Sequence, residues 1–241
     1  LFSNAGVTAD VASTSVTHDQ HVQYDATDWD FCLLRAEANG LVMLTRDDTV
    51  FVKTPRIESA VCSLQFGSTI LDADLQLEAR YQYQNVTSVS WDPVNQACVE
   101  KEAEDPGFQS PGNVGSDGLS GVVELESCQL AHPALTEDEA QKWADGKRMY
   151  SQINRVTGSI KCEGMSAVSI GDTVTLDGLG GRFNGDAFVT GVRHDFDLVQ
   201  SWKTHLQFGG IKPLAQPDSA VSSLQAGGLL PGVNGLQIGI V

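Results

Sequence analysis

Positively charged residues are scarce in this 241-residue chain. Its 15 lysines and arginines face 31 aspartates and glutamates, so the formal net charge is −16 at pH 7. A field of this sign repels phosphate groups, which disfavours binding to nucleic acid or to an anionic membrane surface. Long apolar runs are also missing, because none approaches the roughly 20 residues of a membrane-spanning helix. Apolar residues nevertheless make up 41% of the chain, which is typical of a folded domain.

Cysteine pairs with metal-binding spacing are missing as well. The chain has five cysteines, 30 to 36 residues apart: Cys32, Cys62, Cys98, Cys128 and Cys162. An odd number without a CxxC pair indicates neither a disulfide framework nor a zinc site. We therefore interpret the cysteines as buried, reduced thiols.

The two ends of the sequence resemble cut points. The chain starts at Leu1 without methionine or the charged and apolar regions of a signal peptide,. Its last residues, 236–241, have the pattern of a strand without a following partner. We expect the chain to be a fragment of a longer polypeptide.

A helix and a hairpin are predicted in the first quarter of the chain. Thr27 can cap a helix that continues to Gly40, with acidic residues in its first turn and an apolar stripe behind. We expect Trp29, Phe31 and Leu34 to dock this helix on a larger body. Two apolar runs, 41–44 and 49–53, flank a polar turn and predict a β-hairpin,. A helix and a hairpin are too small to be stable alone.

The period then changes to two, which predicts strands. Alternation over residues 75–83 predicts one long half-buried strand, and residues 86–91 predict another. Residues 99–121 contain acidic and glycine-proline clusters and predict a long mobile loop,. Thr136 and Glu139 form a capping-box pattern that starts a helix over residues 136–153,.

Several short strands follow this second helix. They are predicted over residues 157–163, 173–176, 186–197 and 200–208, separated by turns rich in glycine, aspartate and asparagine,. We expect Gly171, Gly178, Gly185 and Gly191 to permit the turns and bends of these strands. The pattern favours a mainly β, α+β fold with an antiparallel barrel or sandwich.

Possible chemical sites are weak in this sequence. His18 and His21 could offer two metal ligands, but no third ligand is evident and we interpret them as solvated loop residues. His194 and Asp195 are neighbours on a strand, so their side chains point to opposite faces and cannot share a catalytic site. The turn residues Asp172, Asp177, Asn184 and Asp186 match no calcium loop,. We predict no enzyme activity, no cofactor and no metal.

Three segments together resemble one protein family. The first segment carries Tyr24, Asp28, Trp29, Asp30, Phe31, Arg35, Glu37 and Gly40. The second carries Gly171, Asp172, Phe183, Asn184, Gly185, Gly191 and His194, and the third carries Gly228, Leu229, Pro231, Gly235, Gln237 and Gly239. In their order along the chain, these residues resemble the hub region of VgrG spike proteins and phage late-control D proteins.

The resemblance implies a domain organisation. Residues 1–22 would be an extended segment that follows a missing first barrel, and residues 23–62 a helix and hairpin subdomain. Residues 63–211 would form an antiparallel β-barrel of the phage-tail hub type, with the inserted helix 136–153 and the acidic loop 99–121. Residues 212–241 would be a linker and the first strand of a truncated spike domain of the oligonucleotide/oligosaccharide-binding type, with residues 229–241 leading into it.

The resemblance also implies a function. Such a hub belongs to a contractile injection apparatus such as the type VI secretion system, and it adapts a sixfold tail tube to a trimeric spike. Its expected partners are two further copies of itself, a tail-tube protein of the Hcp type, other baseplate or spike-tip proteins, and effectors. It would assemble in the bacterial cytoplasm and then be secreted or become part of an extracellular particle.

Two alternatives stay open from the sequence. One is the baseplate hub of a contractile phage or phage-like particle. The other, of a different class, is a carbohydrate-binding β-module. It would use an exposed row of aromatic residues drawn from Trp29, Trp91, Trp143 and Trp202,.

Overall fold

The computed structural model describes residues 1–18, 20–132, 134–199 and 201–214. Within this part the elements follow one another as β1 (Thr8–Val11), α1 (Asp28–Ala38), β2 (Val42–Arg46), β3 (Thr49–Lys53), β4 (Cys62–Gln65), β5 (Ile70–Leu77), β6 (Asn85–Asp92), β7 (Ala97–Glu102), α2 (Ser116–Val123), β8 (Ser127–His132), α3 (Glu137–Ile153), β9 (Val156–Glu163), β10 (Thr173–Asp177), β11 (Gly185–Asp197) and β12 (Ser201–Phe208). The predicted linker from Ala215 onward, the spike strand and the third family segment lie outside the described residues.

Three predicted elements are confirmed: the first helix (α1), the hairpin (β2 and β3) and the helix over residues 136–153 (α3). The Thr27 side chain accepts a hydrogen bond from the backbone of Asp30 and caps α1. β2 and β3 pair antiparallel around the turn at Asp47. The capping box of α3 is complete, because Thr136 and Glu139 each bind the other's backbone. These elements depend on neighbours close in sequence, which is why their patterns could be recognised.

The leading segment is more than an extended connection. β1 pairs in parallel with β3 over Thr8–Val11, which turns the predicted hairpin into a three-stranded sheet in the order β1-β3-β2. This strand is exposed along its whole length and has no apolar alternation. β1 joins the sheet because β3 has a free edge with which it can pair. The residues of β1 themselves carry no strand pattern that predicts this pairing.

The largest sheet is a six-stranded half-barrel in the order β4-β10-β11-β12-β9-β5. Its core contains Leu64, Ile160, Val174, Leu176 and Leu206, all almost fully buried. This architecture confirms a mainly β, α+β fold. The sheet is mixed rather than antiparallel throughout, because β4 pairs in parallel with β10. More than a hundred residues separate these two strands, so no tight turn forces them to be antiparallel.

The predicted strand over residues 75–83 is wrong in its bounds. β5 covers Ile70–Leu77 and stops at Glu78, whose carboxylate accepts hydrogen bonds from the backbone and the guanidinium of Arg80. These contacts close a turn. Gln82, beyond the turn, is completely buried and donates to the backbone carbonyl of Ser151. The alternating pattern therefore continues past the strand because the next residues pack on α3.

The predicted mobile loop over residues 99–121 is also wrong. It contains most of β7 and the first part of α2, and β7 joins β6 and β8 in a three-stranded sheet. The connecting residues lie against the body of the protein, where Phe108 is buried. The buried guanidinium of Arg155 donates to the backbone carbonyls of Ser110, Pro111 and Val114. Because Arg155 lies some forty residues away, local composition could not reveal this anchor.

Helix α3 joins the three sheets. It contacts β6 and β7 on one side and α1 on another, and its residues Met149, Tyr150 and Ile153 share a core with Val42 and Phe188. The Tyr150 hydroxyl donates to the carbonyl of Leu41 at 2.7 Å. No helix in the described part of the chain is long and apolar enough to cross a membrane.

Candidate assembly surface

The first family segment forms the start of α1 and the chain just before it. Asp28 accepts a hydrogen bond from the Gln23 side chain at 2.8 Å, and Asp30 accepts one from the Thr27 hydroxyl at 2.8 Å. Tyr24 precedes the helix and is 87% exposed. The two carboxylates thus organise the helix N-terminus, where negative charge is favoured.

Docking of α1 involves residues at its C-terminal end that were not expected from the sequence. Trp29 is 44% exposed and lies on the outer part of the helix, whereas the buried residues of α1 are Ala36, Glu37 and Ala38. Past the helix end, Gly40 passes the backbone of Gly146 so closely that an added Cβ would lie 3.2 Å from its Cα. Residues at the C-terminal end of α1 therefore make the close contact with α3, while Trp29 remains largely open to solvent.

A polar cluster ties the leading segment to α1 and α3. His18 Nδ1 lies 2.8 Å from the Glu139 carboxylate, and His18 Nε2 lies 2.9 Å from the Arg35 guanidinium. The His18 and His21 rings are 4.1 Å apart. Burial lowers the pKa of His21, and the nearby charges of Arg35 and His18 lower it further. His18 is therefore a structural link, and the expectation of a solvated loop histidine is wrong for it.

Glu37 and Arg35 of α1 both contact residues outside the helix. A Glu37 side-chain oxygen accepts the backbone N–H of Leu214 at 2.7 Å, which holds the segment after β12 against α1. Burial lowers the pKa of Arg35, although Glu139 nearby partly offsets this effect. Two charged residues of the first family segment thus connect parts of the chain that are distant in sequence.

The second family segment joins the hairpin to the half-barrel. Asp172 accepts a hydrogen bond from the Arg46 guanidinium at 2.6 Å, and it also accepts the backbone N–H of Ser169 at 2.8 Å. Gly171, at a φ of +87°, lies so close to Leu44 that a Cβ would come within 2.6 Å of its side chain. These contacts fix β2 against the turn before β10.

The Phe183–Gly185 part of this segment forms a turn braced by the 110–114 stretch. The side-chain oxygen of Asn184 accepts a hydrogen bond from the backbone N–H of Leu179 at 2.8 Å. The backbone carbonyl of Asn184 accepts one from the N–H of Gly112 at 2.9 Å. Gly185 has a φ of +126°. Farther along β11, the pairing with β12 shifts register between Val189 and Gly191, which marks a bulge,.

Strand residues His194 and Asp195 point to opposite faces, as predicted. His194 Nδ1 lies 3.0 Å from the Thr204 hydroxyl, and its ring lies 5.7 Å from that of Trp202. Asp195 faces the other way, 3.1 Å from His205 Nε2 and 2.8 Å from the Arg193 guanidinium. His194 and Asp195 therefore do not pair with each other, and the partner of Asp195 across the strands is His205.

The tryptophans are placed on four separate elements. Trp29 lies on α1, Trp91 on β6, Trp143 on α3 and Trp202 on β12. The Trp143 ring stacks at 5.0 Å on His132, whose pKa is lowered by burial. Stacking inside the protein occupies one face of the Trp143 ring, so a row of four tryptophans does not form.

The cysteines differ in burial more than expected. Cys162 is fully buried, and burial with the nearby Cys62 and Glu163 raises the pKa of its thiol to about 11. Cys32, Cys62 and Cys128 are partly buried, but Cys98 on β7 is exposed. All five are free thiols. The prediction that all five are buried is wrong for Cys98.

The hairpin tip at the end of β11 and β12 is the most exposed apolar feature. We define it by four apolar residues: Phe196, Leu198, Val199 and Trp202. Phe196 is 79% exposed, Leu198 is 96% exposed and Val199 is 91% exposed. Strands β11 and β12 pair as far as Asp197 and Ser201, beyond the last residue that β9 pairs with β12. The tip therefore projects past the end of the half-barrel.

Phe196 and Trp202 of the tip lie on the same face of the sheet as the residues that form the core. Phe196 pairs with Trp202, and the next inward pair is His194 with Thr204, which is completely buried. Side chains two residues apart on a strand share a face, so Phe196 and Trp202 lie on the buried face where it leaves the barrel. Exposed apolar groups of this kind mark contact surfaces in soluble proteins.

A cavity of about 520 Å³ lies at the other end of the half-barrel, between α3, the start of β9 and the segment after β12. Its walls include Tyr81, Tyr150, Thr157 and Ile211. Its charged lining consists of three cations, Arg80, Lys147 and Lys212, and one carboxylate, Glu78. In a chain of net charge −16 this is a local concentration of positive charge.

Sequence reasoning missed both the tip and the cavity. The tip had a readable signal, because residues 196–199 put apolar side chains into a turn between two predicted strands, where polar residues are normal,. The cavity had none, because its lining comes from several segments that only the fold brings together.

The architecture is shared with phage tail proteins of known structure. The 43 kDa tail protein of prophage MuSo2 from Shewanella oneidensis matches with a TM-score of 0.62 and 13% identity, over 88% of this chain and 62% of that one. The tail protein from Neisseria meningitidis MC58 matches with a TM-score of 0.60 and 15% identity, over 84% of this chain and 60% of that one. The chain thus spans less than two thirds of either protein.

Sequence comparison identifies a family. No curated protein sequence matches the chain. A protein-family model described as the Alg8 N-terminal domain matches residues 1–197, which is most of the chain. The chain therefore belongs to the Alg8 N-terminal domain family.

Proposed function

We propose that this chain is a structural hub component of a contractile injection apparatus, similar in role to the VgrG and late-control D proteins that its sequence resembles. In this role it adapts a tail tube to a trimeric, cell-puncturing spike. It acts as a homotrimer and contacts a tail-tube protein of the Hcp type, neighbouring baseplate or spike-tip proteins, and effectors. It carries out no catalysis and belongs to a secreted or phage-like particle.

The observation that carries the proposal is the fold shared with two tail proteins, one of them from a prophage, over more than four fifths of the chain. Both of these proteins are named as tail proteins. The same fold also suits the baseplate hub of a contractile phage, which differs in the particle and not in the mechanical task.

The internal contacts support a mechanical role. The hairpin layer is held to the half-barrel by the Arg46–Asp172 ion pair, and the segment after β12 is held to α1 through Glu37. A partly buried ion pair with good geometry and a charge-assisted hydrogen bond resist relative motion of the parts they join. An adaptor that transmits force between tube and spike needs such a rigid body.

The test measures the binding of the chain to tail tubes and the mass of the chain in solution. The purified chain is incubated with tubes assembled from a tail-tube protein of the same genome, and the tubes are sedimented. Chain in the pellet, at a stoichiometry of a few copies per tube, is the expected result. Light scattering after size exclusion measures self-association, with a trimer expected at about 3 × 25.8 kDa.

A matched control and a contrary result are available for this test. Tubes of an unrelated tail protein serve as the control and should leave the chain in the supernatant. A chain that stays in the supernatant with its own tubes and binds oligosaccharides on a glycan array would overturn the proposal in favour of the carbohydrate-binding module.

A further inference from the structure

We propose that the hairpin tip of one copy inserts into the α3 cavity of the next copy, so that copies of this chain associate head to tail. This inference rests on the proposed homotrimeric hub and names the interface that builds it. The α3 cavity is the space lined by Tyr81, Lys147, Tyr150, Thr157, Ile211 and Lys212.

The positions of the two features make the contact intermolecular. The tip lies at the start of β12, beside Trp202, whereas the cavity lies just after its end, beside Gly210. A strand rises about 3.3 Å per residue, so the eight residues of β12 separate tip and cavity by roughly 25 Å,. A chain therefore cannot fill its own cavity with its own tip.

Both features carry apolar surface. The tip offers Phe196, Leu198 and Val199, which are exposed and have no apolar cover in the described chain. The cavity is about 520 Å³ in volume, within the range of pockets that bind ligands,. Tyr81, Tyr150 and Ile211 give it apolar wall beside its polar and charged side chains.

Charge matches between the two features. The carboxylate of Asp197 stands between Phe196 and Leu198 in the tip. Lys147 and Lys212 lie at the cavity, where cations outnumber the single carboxylate. Opposite charges of this kind steer two strongly acidic copies into one orientation and oppose other contacts.

A tip-to-cavity contact is heterologous when each copy gives its tip to one neighbour and receives the tip of another. Contacts of this type form a closed ring when the rotation between copies closes, and an open filament when it does not. A threefold ring with three identical contacts satisfies every tip and every cavity. The proposed trimer is therefore the smallest assembly that agrees with the hub role.

Disulfide trapping tests the contact directly. One variant carries Leu198→Cys and a second carries Thr157→Cys, both in a Cys98→Ser background that removes the exposed native thiol. Oxidation of the mixed variants at high concentration should give covalent dimers, and neither variant alone should do so. A chain with both substitutions should give a covalent trimer as its largest product.

Three results would overturn the inference. Dimers from Leu198→Cys alone would show tip-to-tip pairing, and a ladder beyond the trimer from the double variant would show an open filament. No mixed dimer in a preparation whose mass is trimeric would place the trimer interface elsewhere. In that last case the proposed hub function stands, because tube binding is measured separately.

A second measurement does not depend on introduced cysteines. Leu198→Asp is expected to weaken self-association at least tenfold in sedimentation equilibrium, and Lys212→Glu is expected to weaken it in the same direction. Val122→Asp is the matched control, because Val122 is 80% exposed on α2 and belongs to neither surface. Equal association of Leu198→Asp and Val122→Asp would contradict the contact.

Discussion

Glu139 shows how a single carboxylate connects distant parts of the chain. It completes the capping box of α3 by accepting from Thr136, and its other oxygen lies 2.8 Å from His18 of the leading segment. Burial by itself would raise its pKa, but the hydrogen bonds from Thr136 and the charges of His18 and Arg35 outweigh burial and lower the pKa. A carboxyl with a lowered pKa in the folded state stabilises the fold when it is ionised.

Glu139→Gln should therefore lower stability in a pH-dependent way. Ionised Glu139 contributes above its unfolded pKa of 4.5, and this contribution is lost as pH falls through the lower folded value,. We expect the variant to lose about 1 kcal/mol of unfolding free energy at neutral pH and to approach the parent in strong acid. Urea unfolding at several pH values measures this difference.

Asp138→Asn is the control for the loss of charge alone. Asp138 lies in the same first turn of α3 and is exposed, but it makes neither the cap nor the His18 contact. If both variants lose the same free energy with the same pH dependence, the ionised Glu139 carboxylate contributes no more than any other charge in the first turn.

Thiol reactivity should differ between the cysteines. Cys98 is exposed, whereas Cys162 is buried with a pKa raised to about 11, so little of it is thiolate at mild pH,. We expect a maleimide to label Cys98 first and Cys162 only after denaturation, as read by peptide mass spectrometry. Cys98→Ser should remove the fast phase, and rapid labelling of Cys162 in the native chain would contradict its burial.

At the scale of elements, the contact of α1 with α3 depends on two glycines. Gly146 interrupts the middle of α3, where a glycine costs helix stability. In the structure a Cβ at this position would lie 2.7 Å from the Glu37 carbonyl oxygen and 3.1 Å from the Gly40 nitrogen. The close approach of the chain after α1 explains why a poor helix former occupies this position.

Gly146→Ala should destabilise the protein in spite of its better helix propensity. Alanine gains about 1 kcal/mol of propensity, but the clash with backbone atoms is expected to cost roughly 1–3 kcal/mol, and α1 would separate from α3. Gly121→Ala in α2 is the matched control, since a Cβ there meets nothing within 4 Å, and it should stabilise. Thermal unfolding of both variants measures the difference, and equal gains would rule out the close contact.

At the scale of the molecule, the half-barrel core and the hairpin tip place the same residue type in opposite surroundings. Leu206 is completely buried in the core, and Leu198 is 96% exposed at the tip, although both belong to the β11–β12 ribbon and its turn. Burial therefore separates a leucine that stabilises the fold from a leucine that is available for a contact.

Alanine substitution should separate these two roles. Leu206→Ala is expected to lower the free energy of unfolding by about 2–5 kcal/mol, because it leaves a cavity in a packed core. Leu198→Ala should change it by less than about 0.5 kcal/mol. Chemical denaturation followed by circular dichroism measures both, and a large loss for Leu198→Ala would mean that the tip packs within its own chain.

The sequence by itself determined the local elements. The cap at Thr27, the capping box of Thr136 and Glu139, the hairpin over β2 and β3 and most strands of the half-barrel follow from interactions within a few residues. The mainly β class follows from the same patterns. Such signals are short in range, so they are complete in the sequence.

Only the tertiary structure decided which segments meet. The parallel pairings of β1 with β3 and β4 with β10, the anchoring of the 110–114 stretch by Arg155, and the α3 cavity all join residues far apart in the chain. These contacts depend on which edges and surfaces remain uncovered after the local elements form. Strand partners and cavity walls are therefore set by the packing of the whole molecule, which no segment encodes alone.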